Sequence, residues 1–400
     1  MVRAFLLLCV LSGLAWWLHG EQERGRFHAV DEGFLDFLLA NVRHELKPDP
    51  SKLDDVVLVQ LREEDKQEFA AWPPQPIDYQ MILDRLAAYQ PRAVVVVDPL
   101  QWPQAQAEEL EPLAASLQKV APRVVLATSV NSQGDAHGET LNTLRERLPV
   151  ITRVDGDVTS LPVIARSDAT PAPALMRQGD VGLTIRGALP MVMRLGDTLV
   201  PSLQLQALAN AGGVAFGQLR VNVGPGAGLH LGDEWFVPTE AKGLWPKQET
   251  KLATVNALDV MTPEVAETGD AWKQALGKDR VLIVGTDREI GEPSIARTTA
   301  MIVANALALP RLRVLPELWQ FTAWAICGML GMALLWWPKH KAITRALLLL
   351  VLALTASYLA FQSFQTWCPP AIPVALIVAS GLFVRLFGRR QVELPTAKVE

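Results

Sequence analysis

The chain has 400 residues, of which 50% are hydrophobic and 20% charged, the balance of a globular core joined to membrane segments rather than of a disordered chain. A formal net charge of −5, with no basic run interleaved with aromatics in the long polar part, argues against a nucleic-acid partner, because a phosphate backbone demands a basic face. Cys9, Cys327 and Cys368 all lie in or beside apolar runs, so the polar part can build neither a disulfide framework nor a Cys-based zinc site. The six scattered histidines show no HExxH-like ligand spacing either.

At the amino end, Arg3 precedes the apolar run 4–18, and the charged segment 21–26 follows it. This is either a short membrane anchor or the front of a secretory signal. Gly13-Leu14-Ala15 has the small-x-small shape of a cleavage site, whereas Trp16-Trp17 suits an interfacial belt. Both alternatives export what comes next. Residues 31–46 place Phe34, Leu35, Leu38, Leu39 and Val42 at helical spacing, and Pro48 and Pro50 end that pattern.

A strand is expected at 56–61, followed by the acidic turn Glu63-Glu64-Asp65. A helix follows at 77–89, then a β-branched strand at 93–97 that ends on Asp98, a helix at 105–120 and a strand at 123–127. Strands that are apolar throughout, alternating with helices, predict a buried parallel sheet with helices on both faces. The middle of the chain reads differently. Short strands at 150–153, 161–166, 182–186, 191–195 and 218–223, split by Gly, Pro and Asp turns, predict an antiparallel elaboration with a helix at 203–211. The first rhythm resumes with a helix at 263–276, a strand at 280–285 and a helix at 294–309.

Three apolar runs then crowd together, at 318–337, 346–367 and 371–387. The first two are charge-free and long enough to cross the roughly 30 Å hydrocarbon layer, while the third is shorter and carries Arg385 near its end. Lys339, His340, Lys341 and Arg345 lie between the first two runs, and Arg385, Arg389 and Arg390 flank the third. The connection at 362–370 has no charge. The positive-inside bias puts the basic segments in the cytoplasm and the domain before them outside. The expected fold is therefore α/β, a mostly parallel sheet flanked by helices with an antiparallel β elaboration, followed by an all-α membrane block of three helices. The expected divisions are 1–20 as anchor or signal, 21–310 as the exported domain, 311–390 as the membrane block and 391–400 as a cytoplasmic tail.

From 55 to 309 the order of motifs resembles the type-2 CHASE domain, an extracytoplasmic sensory module of bacterial signalling proteins. The resemblance rests on the strand at 56–61 with its acidic turn, Trp72-Pro73, the strand at 94–97 capped by Asp98, and Asp180-Val-Gly182 with Arg186. Pro201-Ser202-Leu203, Asn256-Ala257-Leu258-Asp259-Val260 and the strand at 281–285 complete the series, and three membrane helices after the domain are usual in that family. Two features depart from it: Pro74-Gln75-Pro76 stands where the family tends to place an arginine, and 286–304 lacks the familiar aspartate-then-histidine features. Family members normally continue into an output domain, and none is evident here. The resemblance thus implies a sensor in the inner membrane, multi-pass, that acts through a separate partner.

Ligands of open parallel sheets bind beyond the carboxyl ends of the strands. Here those ends present Glu63, Glu64 and Asp65, then Asp98, then Thr128-Ser129, then Thr286-Asp287-Arg288. Glu63, Asp98, Asp287 and Arg288 are the candidate ligand-binding residues; the alternative is that they cap helices and pair with neighbouring Arg and Lys. Gly224-Pro-Gly226-Ala-Gly228 lacks the GxxxxGK[ST] pattern, and Pro225 removes an N–H a phosphate would need, so a turn is the better reading. No GxSxG occurs, and Ser129, Ser132 and His137 fall in no recognisable nucleophile motif. No catalytic residue, cofactor or metal site is expected. The expected partners are the lipid bilayer, a cytoplasmic or membrane signalling partner and a small-molecule ligand, with a homo-oligomer left open. A structural or assembly subunit of an envelope complex, or an exported enzyme, are the competing classes.

Overall fold

A computed structural model describes the chain except residues 1, 25, 43–45, 70, 132–143, 186–189, 224–226, 233, 240–250, 263–270, 288–293, 337–340 and 388–400. It forms two compact units, Leu46–Pro310 on the one hand and Met1–Glu45 with Arg311–Glu400 on the other.

The first unit is built on a seven-stranded sheet. Its strands, in chain order, are β1 (Val56–Arg62), β2 (Ala93–Val96), β3 (Val124–Asn131), β4 (Arg166–Ala169), β5 (Asp180–Ile185), β6 (Ala253–Asn256) and β7 (Val281–Asp287). The spatial order is β6-β1-β7-β2-β3-β5, all parallel, and β4 runs antiparallel to β3. β1, β2 and β7 are buried almost from end to end, which is why they read as unbroken apolar runs.

Alternate residues feed two apolar layers. Val57, Val59, Leu61, Val94, Val96, Leu282 and Val284 pack with Ile82, Leu83 and Leu86 of the helix Pro76–Ala87 and with Leu113 and Leu117 of the helix Ala107–Val120. The opposite face is covered by the helices Leu203–Gly212 and Ile295–Ala308, which also pack on one another. The connections leaving β1 and β2 therefore run over one face, and the helix after β7, which lies between them, covers the other.

Two expectations are corrected here. The 182–186 segment is not part of an antiparallel elaboration: β5 is parallel to β3 from Val125↔Asp180 to Val130↔Ile185. Gly182 makes this possible, because a Cβ there would lie 2.7 Å from the Cα of Leu203, so only glycine lets the amino end of the helix Leu203–Gly212 sit on the strand. Likewise, 161–166 contributes only the isolated bridge of Val163 to Arg194, and the strand begins at Arg166. Antiparallel pairing does occur elsewhere. Leu219–Asn222, Gly228–Leu231 and Phe236–Pro238 form it within a four-stranded sheet, and Val192–Leu195 pairs with Thr198–Pro201 as a hairpin.

In the second unit, Val2–Glu23, Glu317–Trp336 and Ala342–Phe364 are long and apolar enough to cross a membrane. Ala371–Phe387 is apolar but has 17 residues, about 25 Å of helix. It packs against all three longer helices. Small residues allow the close approach: a Cβ on Gly331 would meet Ser380 Oγ, and one on Gly381 would sit 2.6 Å from the Cβ of Ala346. Asp31, on the helix His28–Val42, accepts a hydrogen bond from the backbone N–H of Ala371 at 3.3 Å. Arg345 falls within the first turn of Ala342–Phe364 rather than in the connection.

Candidate functional site

The carboxyl edge of β1, β7 and β2 is where the fold gathers chemistry. β7 is flanked by strands whose connections leave on the other face, which is the arrangement that opens a crevice in a doubly wound sheet. The ladder carries Val284 opposite Val96 and Asp287 opposite Arg62, so the ends of the three strands lie side by side.

Asp98 is the hub. Its Oδ2 accepts from Tyr79 Oη at 2.6 Å, from the Thr286 backbone N–H at 2.8 Å and from Thr286 Oγ1 at 2.9 Å. These bonds prolong the contact of β2 with β7 beyond its last ladder pair, and they tie in the helix Pro76–Ala87. Burial pushes the Asp98 carboxyl above the usual aspartate range, and the hydrogen bonds from Tyr79 and Thr286 oppose that shift only in part. The phenol of Tyr79 is raised well above its ordinary value, first by burial and then by the Asp98 charge.

Aromatic side chains surround this pair. Tyr79 meets Trp102 edge-on at 5.8 Å, and Trp102 Nε1 donates to the Pro74 carbonyl at 3.1 Å. Pro74-Gln75-Pro76, a departure in sequence, has a structural job. Gln75 is the N-cap, its backbone N–H donates to Asp78 Oδ2 at 2.7 Å, and Pro76 occupies the first helical turn. A cleft of about 400 Å³ borders Trp102, between Gln75, Pro103, Gln104, Ala105 and Glu109.

Asp287 lies at the same edge but on the other face, because it follows Thr286 in a strand. It is 1% exposed, and its Oδ2 accepts from Arg297 Nε at 3.0 Å and from Arg297 Nη2 at 2.6 Å. Arg297 stands in the first turn of Ile295–Ala308, a helix capped by Ser294. At the end of β6, Asn256 caps the helix Ala257–Met261 through Oδ1 and donates from Nδ2 to Asp65 at 2.9 Å. This gives Asn256 of the Asn256-Ala-Leu-Asp-Val260 motif its structural role.

Glu63, Asp98 and Asp287 therefore converge on one end of the sheet. Glu63 is half-buried in the turn after β1. Asp98 and Asp287 engage separate partners on opposite faces, and Arg288 lies outside the described residues. The sequence names Thr286 only as part of the strand end, and gives no signal for Tyr79 or Arg297. Thr286 directly precedes Asp287, but Tyr79 lies 19 residues before Asp98 and Arg297 lies 10 after Asp287, with no spacing rule to link them. Among the described residues no group of three or more His, Cys, Asp or Glu side chains is placed to hold a metal ion.

No curated protein and no solved structure gives a significant match to the chain. The family profile of the CHASE2 domain matches residues 5–355, most of the sequence and parts of both units. The chain belongs to the CHASE2 family, an extracytoplasmic sensory domain family of signalling proteins.

Proposed function

We propose that the chain is a membrane-anchored sensor of a bacterial signalling system, whose unit 46–310 takes the input outside the inner membrane and whose helices hand the signal to a separate cytoplasmic or membrane partner. The observation that carries this reading is the extent of the family match. It runs from the apolar helix at the amino end, through the α/β unit, into Ala342–Phe364. Charge supports the orientation: Lys339, His340 and Lys341 lie between two spans, and Arg385 lies at the far end of the last apolar helix. The helix Ala371–Phe387 supports transmission, since it packs against three longer helices and its first N–H, of Ala371, donates to Asp31 of the helix His28–Val42.

The test is topological. A periplasm-active reporter inserted after Gln133 should be active and a cytoplasm-active one silent, and the reverse should hold after Glu400. Equal signals at both points would remove the orientation, and with it the sensor.

A further inference from the structure

The opposite edge of the same sheet holds a cleft that neither the family assignment nor the carboxyl-edge chemistry uses. Its volume is about 530 Å³, within the range of small-molecule sites, roughly 300–1,000 Å³. Arg123 precedes β3 and Asp180 opens β5, so the parallel pairing of those strands brings a cation and a carboxylate to one wall. The helix Leu203–Gly212 contributes Gln206 and Asn210, one turn apart on one helical face. Gly213, at φ +71°, ends that helix and turns the chain so that Val214 and Phe216 supply apolar wall with Leu148.

Three details make this a built site rather than a dent. Gln206 is 2% exposed, yet among the described residues its Oε1 has no hydrogen-bond partner, a state that costs stability unless something fills it. Arg123 is held by one nitrogen, Nη1 donating to the Asn210 carbonyl at 2.7 Å, and Arg147 donates from Nη1 to the Met176 carbonyl at 3.0 Å. Each guanidinium is thereby positioned with further N–H groups to offer. Asp180 is fixed in the same way, its Oδ2 accepting from Asn210 Nδ2 at 2.7 Å.

We infer that this cleft binds a free α-amino acid or a close amino-carboxylate. The charged lining is two cations, Arg123 and Arg147, and two anions, Asp180 and Glu146, which suits a zwitterion better than a net anion or cation. The carboxylate goes to the guanidinium groups, whose planar fork matches it. The ammonium goes to Gln206 Oε1 and Asp180, beside the carboxyl end of a helix, where the dipole favours a cation. Leu148, Val214 and Phe216 take the side chain. The carboxyl edge is less suited, because Asp98 and Asp287 face opposite ways and Oδ2 of each already receives internal donors. Asp287 Oδ1 has no hydrogen-bond partner among the described residues, but it lines neither cleft.

This inference names the input of the proposed sensor and rests on that reading for its meaning, but its test is binding alone, so it can fail while the topology holds. Full-length protein in lipid nanodiscs is titrated with each common L-amino acid in turn, and its thermal midpoint is followed. At least one should raise the midpoint saturably, whereas its N-acetyl derivative and its amide, each lacking one charge, should not. Arg147→Ala should weaken binding about tenfold to a hundredfold. Gln206→Leu should raise the midpoint of the ligand-free protein, by removing the orphaned amide, and still abolish the response. Absence of any saturable shift, an equal response to acetate or phosphate alone, or an undiminished response in Gln206→Leu would each overturn the proposal.

Discussion

Asp98→Ala tests whether the carboxyl edge is held by its own residues. The substitution removes the acceptor of three hydrogen bonds and strands the Tyr79 hydroxyl, on a side chain only 2% exposed, together with both donors of Thr286. The stranded Tyr79 donor costs about 1–3 kcal/mol, and the donors of the half-buried Thr286 cost less because water can reach that residue. Relief from holding a carboxylate out of water offsets part of this, leaving a net loss of about 2–4 kcal/mol. For a domain of this size that is a fall of roughly 5–15 °C in the thermal midpoint. Asp98→Asn keeps an acceptor and should cost about 1 kcal/mol. Its effect should also depend on pH. The folded state raises the Asp98 carboxyl, so between the ordinary aspartate range and that raised value the native protein binds more protons than the unfolded chain. Stability from this group is thus fully present below the ordinary range and is lost as pH rises through the raised value. The wild type should gain stability on acidification across that window, and Asp98→Asn should not share the gain. The readout is near-ultraviolet circular dichroism of the full chain in detergent. An Asp98→Ala midpoint within about 1 °C of wild type, or an unchanged pH slope in Asp98→Asn, would refute the assignment.

Three further outcomes follow from packing. Gly182→Ala places a Cβ 2.6 Å from Leu203 Cδ1 and should destabilise by about 1–3 kcal/mol in thermal unfolding, whereas Gly217→Ala, with nothing within 4 Å, should be neutral. Val95→Asp buries an unpaired charge at a position with 0% exposure; several kcal/mol of penalty against roughly 5–15 kcal/mol of total stability should stop folded protein from accumulating, while Ile77→Asp on an exposed helix face should be tolerated when expression is compared. In the membrane unit, Gly331→Val should part Glu317–Ala333 from Ala371–Phe387 and lower resistance to unfolding in SDS, whereas Gly328→Val, open for 4 Å around, should not.

Much of the α/β unit was legible because buried parallel strands must be apolar on both faces, and 56–61, 93–97 and 281–285 could hardly be anything else. The local pattern misplaces β5. Asp180 and Gly182 look like turn residues, but the glycine is there for the close approach of Leu203, a contact that no window of sequence contains. β6 leaves no mark in the sequence because it is four residues long and has no apolar run. Asp98 and Asp287 were placed at the correct sheet edge because each ends an apolar run. That they face opposite ways depended on where each strand's alternation ended. Their partners could not be read at all, since Tyr79 and Arg297 reach them through helix packing. Gln206 is harder still. It sits in a segment that reads as an ordinary apolar helix, and only its burial beside an unfilled cleft marks it out.

The two sheet edges differ in the room they leave beside their buried polar groups. Each keeps one such oxygen without a hydrogen-bond partner among the described residues, Asp287 Oδ1 at the carboxyl edge and Gln206 Oε1 at the amino edge. At the carboxyl edge the topological crevice is filled from within: the helix that begins there returns Arg297 to Asp287, and Asp98 draws Tyr79 and Thr286 across the gap between strands. A ligand arriving there would have to displace charge-assisted bonds, each about twice as strong as a neutral one. At the amino edge the same kinds of group are anchored but not exhausted, and among the described residues the buried amide oxygen of Gln206 is left without a donor. Filling that position supplies a hydrogen bond that the ligand-free protein lacks. A sensor needs a state that its ligand improves, because a ligand shifts an equilibrium only by its differential affinity for the two states. Gln206 is the one of these positions that lines the cleft of about 530 Å³, where a ligand can make such an improvement.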